Sequence, residues 1–336
     1  MPSYDPSLFN VDPYYDDFSE DKKFLRLMFR PGYAVQAREL TQIQTILQNQ
    51  IERFGSHVFE EGSIVLDGQI SESRVKYAKV NLPTTATHSD FVGTVISKAG
   101  RAKARVIHAE GGLSGSTLDE ESVLFFEYIE GGTGFQANDI IAATAANGTG
   151  ITASVTGPSN YFLGDALVAS VDRGVRFIEG YFVLNDAQSI GAYTLTGSAG
   201  STIRNYNNPT TRIGFQATKS FVAANDDTTL TDPAFGFYNY AAPGSDRFKI
   251  EMVLSQVGYT ASDTSAVDNF SREGFVEFMR VVDGDVVKVE KYPDYAVLED
   301  TLARRTYDES GNYTVTPFEL TLKGPTTVDS TAVLKV

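Results

Sequence analysis

Apolar and polar residues alternate along this chain in two rhythms. Between Ala34 and Phe54, Leu40, Ile43, Leu47, Ile51 and Phe54 recur at steps of three and four, which places them on one face of an α-helix. No Gly or Pro interrupts that stretch. Pro31-Gly32 turns the chain into it, and Gly55 follows as the expected C-cap. The opposite face carries Gln42, Gln44, Thr45, Gln48, Asn49 and Gln50, an uncharged set suited to a crowded, partly buried setting. Burying each large apolar side chain of the stripe returns roughly 1.5–3 kcal/mol. Fixing the helical backbone costs about 1–2 kcal/mol per residue. The stripe must therefore dock, on the chain's own body or on copies of itself, and it is too short for a long coiled coil.

After Gly62 the period shortens to two. Val75–Val80, Phe91–Ile96, Ala104–His108 and Val123–Ile129 read as strands. Ile140–Ala146 and Ile151–Val155 flank Asn147-Gly148, a hairpin signal. The runs between about Asp90 and Gly157 are expected to close a small barrel of their own. Val175–Leu184 alternates around Gly180, where a strand is expected to bend. Tyr193–Leu195, Ile213–Thr218, Phe248–Leu254 and Phe275–Val282 follow, and Asp283-Gly284 turns the chain into Val286–Val289. Tyr313–Val315 and Phe318–Leu322 close the folded part.

The expected fold is mainly β with one long N-terminal α-helix, built as β-sandwich or small-barrel domains behind an arm-bearing N-terminus. Residues 1–33 form an extended arm and 34–60 the helix. A β domain takes 61–89 with 158–200, a small barrel is inserted at 90–157, a second β domain covers 201–323, and 324–336 is an extended tail. In the arm, Pro2, Pro6 and Pro13 discourage helix. Its aromatics Tyr4, Phe9, Tyr14, Tyr15 and Phe18 need a surface to lie on, either this chain's body or a partner.

Composition narrows the function. The 336 residues exceed one typical core, and 42% hydrophobic content suffices to bury sizeable cores. With no cysteine there is no disulfide framework and no thiolate metal site or nucleophile. A net charge of −15 argues against nucleic acid as a partner. No stretch is long and apolar enough to span a bilayer, so no membrane partner is expected. The acidic N-terminus lacks the pattern of a cleaved signal peptide.

Candidate chemistry is sparse. His57, His88 and His108 are isolated from one another, which makes a His-rich zinc site unexpected. No nucleophile elbow or phosphate loop occurs. Acids are paired at Asp16-Asp17, Glu60-Glu61, Glu120-Glu121 and Asp226-Asp227, beside turns where solvated carboxylates are the default. A glycosidase would need two carboxylates facing each other across a sugar. Asp283-Gly284-Asp285 reads as a turn rather than a calcium loop. The cluster Lys98, Arg101, Lys103 and Arg105 reads as a charged guard on an edge strand, or as a dock for an acidic neighbour. No catalytic residue, cofactor or metal is expected.

Several long motifs carry a resemblance. FRPGYAVQARELTQIQTILQNQIERFG (Phe29–Gly55), RGVRFIEGYFVLNDAQ (Arg173–Gln188), NYAAPGSDRFKI (Asn239–Ile250) and LARRTYDESGNYTV (Leu302–Val315) stand in this order. The chain thereby resembles a family of tailed-phage virion proteins, catalogued largely as a domain of unknown function and common in phages of marine and photosynthetic bacteria. The resemblance implies a structural role in the tail: baseplate, fibre attachment or proximal fibre. It implies a homotrimer that meets other tail or baseplate proteins, residing in the virion after assembly in the host cytoplasm. Many relatives run on into distal receptor-binding modules, so a chain that stops here is expected to act as an adaptor. Leu40, Ile43, Leu47, Ile51 and Phe54 are the expected oligomerisation residues. The arm aromatics are expected to engage the neighbouring component. A glycan-binding or glycan-cleaving tail module and a neck or head–tail connector are the alternatives.

Overall fold

The computed structural model describes residues 6–112, 121–130, 132–156, 161–197, 202–258, 274–290 and 297–311. The architecture is mainly β with a long N-terminal helix, as the sequence pattern predicts. Helix α1 spans Ala37–Val58. It starts later than expected because Gln36 is its N-cap: the Gln36 N–H donates to Glu39 Oε2 at 2.9 Å, and the Gln36 side chain accepts from the first turn in return. Nor does it stop at Gly55. That glycine is a point of close approach, since a Cβ there would collide with the Phe177 ring. The helix runs on to Val58, and the Phe59 N–H closes it on Gly55 O at 2.8 Å.

Seventeen strands follow among the described residues. The first seven are β1 (Ile64–Asp67), β2 (Ile70–Asn81), β3 (Val95–Lys98), β4 (Ala102–Glu110), β5 (Ser122–Glu130), β6 (Ile140–Thr144) and β7 (Gly150–Val155). Next come β8 (Leu163–Val171), β9 (Gly174–Ile178), β10 (Tyr181–Asn185), β11 (Gln188–Gly191), β12 (Thr194–Thr196) and β13 (Ile203–Asn205). The last are β14 (Thr211–Val222), β15 (Arg247–Gly258), β16 (Phe275–Val282) and β17 (Asp285–Val289).

Two strand expectations are corrected by glycine. Phe91–Ile96 is not one strand: Phe91 ends a 3-10 turn, Gly93 sits at φ 77°, and β3 begins only at Val95. Val175–Leu184 is not a bent strand but the β9–β10 hairpin. Glu179 and Gly180 take φ values of 50° and 82°, the positive pair that a two-residue turn between twisted strands requires. A second helix, α2 (Val297–Ser310), belongs to a separate unit that begins at Val297. It was not expected, because charged residues crowd its sequence and leave no apolar stripe to read. The strands expected at Tyr313–Val315 and Phe318–Leu322 and the tail at 324–336 lie outside the described residues.

Strand β2 organises the larger sheet. It pairs with β8 from Ile70↔Val171 to Ala78↔Leu163. Its far end pairs with β5 from Lys76↔Phe126 to Val80↔Ser122, and with β7 at Val80↔Val155. The order β2-β5-β4-β3-β6-β7 thereby returns to β2 and closes a ring. Alternate residues point inward and are buried: Ala102, Ala104 and Val106 on β4, Leu124 and Phe126 on β5, Ile141 and Ala143 on β6, Ile151, Ala153 and Val155 on β7. The runs between 90 and 157 therefore do not close a barrel alone; β2 is its sixth stave.

A second core is shared across both β domains expected from the sequence. Leu167, Ala169, Val171 and Ile178 meet Ile213, Phe215, Met252, Phe278 and Val281 of the sheet β15-β14-β16-β17. The segments 61–89 with 158–200 and 201–290 thus fold around one core, not two. Gln188 stitches the layers: its Nε2 donates to Met252 O and its Oε1 accepts from Leu254 N, both at 2.8 Å. Arg176 is fully buried there. It donates to Gly62 O at 3.0 Å, lies 3.7 Å from Glu290, and stacks 5.3 Å over Phe215.

The link from α1 into this body carries a perturbed acid. Glu61 accepts the Glu179 N–H at 2.7 Å, and Glu179 pairs with Lys219. Burial, with the Glu179 charge adding to it, pushes the Glu61 carboxyl up from 4.5 to about 7.

Two outcomes follow from these contacts. Gly55→Ala gains about 1 kcal/mol of helix propensity but overpacks Phe177 by about 1–3 kcal/mol, so a calorimetric scan should show a lower Tm. For Glu61 the folded state binds the proton more tightly than the unfolded one. Its contribution is therefore full below pH 4.5 and falls as pH rises towards about 7. Glu61→Gln keeps the acceptor, and should raise the denaturation midpoint at pH 8 and flatten its pH dependence between those values.

Candidate assembly surface

Helix α1 meets the body with its polar side. Thr45, Ile46, Asn49 and Gly55 are its buried residues. The arm supplies their partners. Asp16, only 1% exposed, accepts from Thr45 Oγ1 at 2.5 Å and from Gln42 Nε2 at 3.3 Å. Glu20 accepts from Asn49 Nδ2 at 2.5 Å and pairs with Arg53 at 2.6 Å. Gln48 Nε2 donates to Gly180 O at 2.6 Å, tying the helix to the β9–β10 turn. Hydrogen bonds from Lys22 to Asp17 and from Asn49 to Glu20 hold both carboxyls below their ordinary range, with Arg38 and Arg53 reinforcing them.

The stripe is left on the outside. Leu40, Leu47, Ile51 and Phe54 are 54%, 56%, 44% and 68% exposed, and Ile43 is half-buried. Among the described residues the apolar face therefore does not dock on the chain's own β body. Of the uncharged polar set, Thr45 and Asn49 are buried and Gln42 and Gln48 half-buried, whereas Gln44 and Gln50 stay exposed beside the stripe.

The arm aromatics divide. Phe9 lies edge-on to Phe248 at 5.1 Å, and Tyr14 stacks on Phe221 at 5.3 Å. Tyr14 Oη donates to Asp246 Oδ2 at 2.7 Å, and this bond pushes the phenol up to about 12, so it stays a donor at any ordinary pH. Of the two surfaces open to the arm, its own body or a partner, Phe9 and Tyr14 therefore lie on the chain's own β14 and β15. Tyr15 is exposed and bonds only locally, to Asp12 at 2.7 Å. Phe18 lines a groove of about 380 Å3 with Phe24, Leu25 and Ile46, between arm and helix. Tyr4 lies outside the described residues.

Several of the remaining candidates make contacts within the fold. Strand β4 lies between β5 and β3, so the basic cluster does not guard an edge. Arg101 pairs with Asp139 at 3.3 Å, Lys103 pairs with Glu130 at 3.0 Å, and Arg105 stands opposite Glu127. Asp226 and Asp227 accept the N–H groups of Ala223 and Thr229. His108 stacks on Phe125 and bonds Glu110 at 3.3 Å. Among the described residues no group of three or more His, Asp or Glu is placed to hold a metal, and no helix is long and apolar enough to cross a membrane.

Asp16 is the anchoring residue beneath α1 that the sequence reading missed, taking it for a solvated acid. The signal was present in combination: an uncharged amide face on a helix, preceded by an acidic arm that can accept from it. Asp16→Ala removes the carboxylate that the Thr45 hydroxyl donates to, while the Gln42 amide keeps Asp17 Oδ1 at 3.3 Å. We expect a loss of about 1.5–3 kcal/mol in chemical denaturation, and faster hydrogen exchange across residues 37–49. Because the Asp17 and Glu20 carboxyls are lowered from 3.8 and 4.5, their contribution holds above those values and fades as pH falls through the lowered ones.

Comparison with known proteins gives one match. A family model described as "Domain of unknown function (DUF4815)" matches residues 12–83 and 165–336. The interval between the two matched segments holds β3 to β7. No curated protein and no solved structure matches the chain.

Proposed function

Since the chain belongs to the DUF4815 family, a domain of unknown function, we propose that it is a structural assembly protein whose outward α1 stripe packs against the stripes of sister copies. One observation carries this reading. The strongest apolar helix face in the sequence is turned to solvent, while its polar face is tied down by Asp16, Glu20 and the β9–β10 turn. Isolated monomers rarely keep such a contiguous apolar surface open.

The motifs at Phe29–Gly55, Arg173–Gln188, Asn239–Ile250 and Leu302–Val315 supply the setting. Their resemblance to tailed-phage virion proteins supports a component of a bacteriophage tail, baseplate or proximal fibre. In that setting the chain assembles in the host cytoplasm as a homotrimer, with other tail proteins as partners. Burial of shape-matched surface is the mechanism. No chemical step is part of the proposal, and the hydrogen-bonded carboxylates fit that role.

Leu47 is the residue to test. It stands at the middle of the stripe and is 56% exposed, so Leu47→Asp leaves the monomer's own core intact. In an interface the aspartate would be desolvated beside apolar neighbours, at a cost of several kcal/mol. Light scattering should show an oligomer for the unmodified chain and a monomer for the variant, with unchanged circular dichroism. An oligomer of unchanged mass in the variant would sink the role given to α1.

A further inference from the structure

Two exposed segments of this chain have opposite charge and matching apolar character. The first is the strap between arm and helix. Phe24, Leu25, Met28 and Tyr33 are 62%, 73%, 86% and 67% exposed. From Lys22 to Arg38 the sequence carries five basic residues and no acid, within a chain whose net charge is −15. Lys22 and Arg38 pair with Asp17, whereas Arg26 and Arg30 form no ion pair among the described residues.

The second is the loop between β14 and β15. Phe235, Phe237, Tyr238 and Tyr240 are 81%, 75%, 108% and 51% exposed. From Ala223 to Asp246 the sequence carries four acids and no base. The loop is preformed. Its base is closed by Asp232 N to Ala242 O at 2.9 Å, Ala241 N to Asp232 O at 3.0 Å and Gly244 N to Leu230 O at 3.0 Å. Phe235 and Tyr240 meet edge-on at 5.1 Å within it. A loop already held in shape loses little further entropy on binding.

We propose that the basic apolar strap of one copy docks on the acidic aromatic loop of the next. The proposal rests on the self-assembly reading above and adds a second contact to it. Neither segment is covered by the described residues of its own chain, and each has the charge the other lacks. A second copy supplies both in equal number. Strap-on-loop contact is heterologous, so it propagates from copy to copy and closes into a ring under the rotational symmetry of a trimer. The strap is also a cationic island on an acidic molecule, so it steers copies towards each other's loops at low salt.

The chain has no cysteine, so introduced thiols report contact without interference. Two differently tagged chains, Met28→Cys and Tyr238→Cys, are co-expressed and oxidised gently. The proposal expects a disulfide joining the two kinds of chain. Arg26→Glu with Arg30→Glu in the strap chain should lower its yield about tenfold, while the thermal midpoint stays the same. Disulfides only between like chains would overturn the proposal, because they place strap on strap or loop on loop. Absence of the mixed disulfide from an oligomer seen by light scattering also overturns it and leaves assembly through α1 standing. An unmodified chain that stays monomeric removes both.

Discussion

Asp16 lies buried under α1 and accepts hydrogen bonds from Thr45 and Gln42, so the helix presents its polar side to the body. A charged acceptor inside a protein is tolerated only where donors converge on it, and the helix supplies those donors. Once Thr45, Asn49 and Gln48 are engaged, the rotation of the helix about its axis is set. The stripe of Leu40, Leu47, Ile51 and Phe54 then faces out by geometry. The usual arrangement, apolar face inward and polar face outward, is reversed by a few short hydrogen bonds. The arm's aromatics Phe9 and Tyr14 hold the other end of this clasp on β14 and β15, which makes the arm a fastener between helix and sheet.

Much of the fold was legible in the sequence because it depends on local period. The strand β16 and the turn after it, the Asn147-Gly148 hairpin and the core of α1 follow from alternation, turn chemistry and spacing. What failed depended on the partner of a residue rather than its neighbours in sequence. Gly55 looks like a helix stop until Phe177 is known to press on it. Gly180 looks like a kink until Glu179 joins it in a positive-φ turn. Helix α2 has too few apolar positions for periodicity to reveal it.

The candidate surface was half legible. The stripe residues were identified as a face in need of burial, and they form one face in the structure. Which way that face points was not readable, because amphipathicity measures contrast between two faces and says nothing of where an acid lies in space. Asp16 and Glu20 each lie 29 residues before the helix residue they bond, and only the fold brings them beneath it. The basic cluster was misjudged for the same reason: Glu127 and Glu130 answer it from β5 and Asp139 from the turn before β6.

The pairing of β2 with β8 sets the strands of the ring apart from the body in sequence. The chain leaves the body at the end of β2 and re-enters it on the adjacent antiparallel strand, with Ala78 opposite Leu163. Everything between, from β3 to β7, is a detour whose two ends already stand side by side, and the matched family segments stop and resume on either side of it. Removing the detour leaves a plain hairpin. The ring borrows a stave from the body and gives contacts in return: Glu110 of β4 accepts from Gly191 N at 2.6 Å and from Tyr206 Oη at 3.0 Å, and Phe125 of β5 meets Tyr206 edge-on at 5.1 Å, so the detour is separable in sequence yet keyed to the frame along one seam.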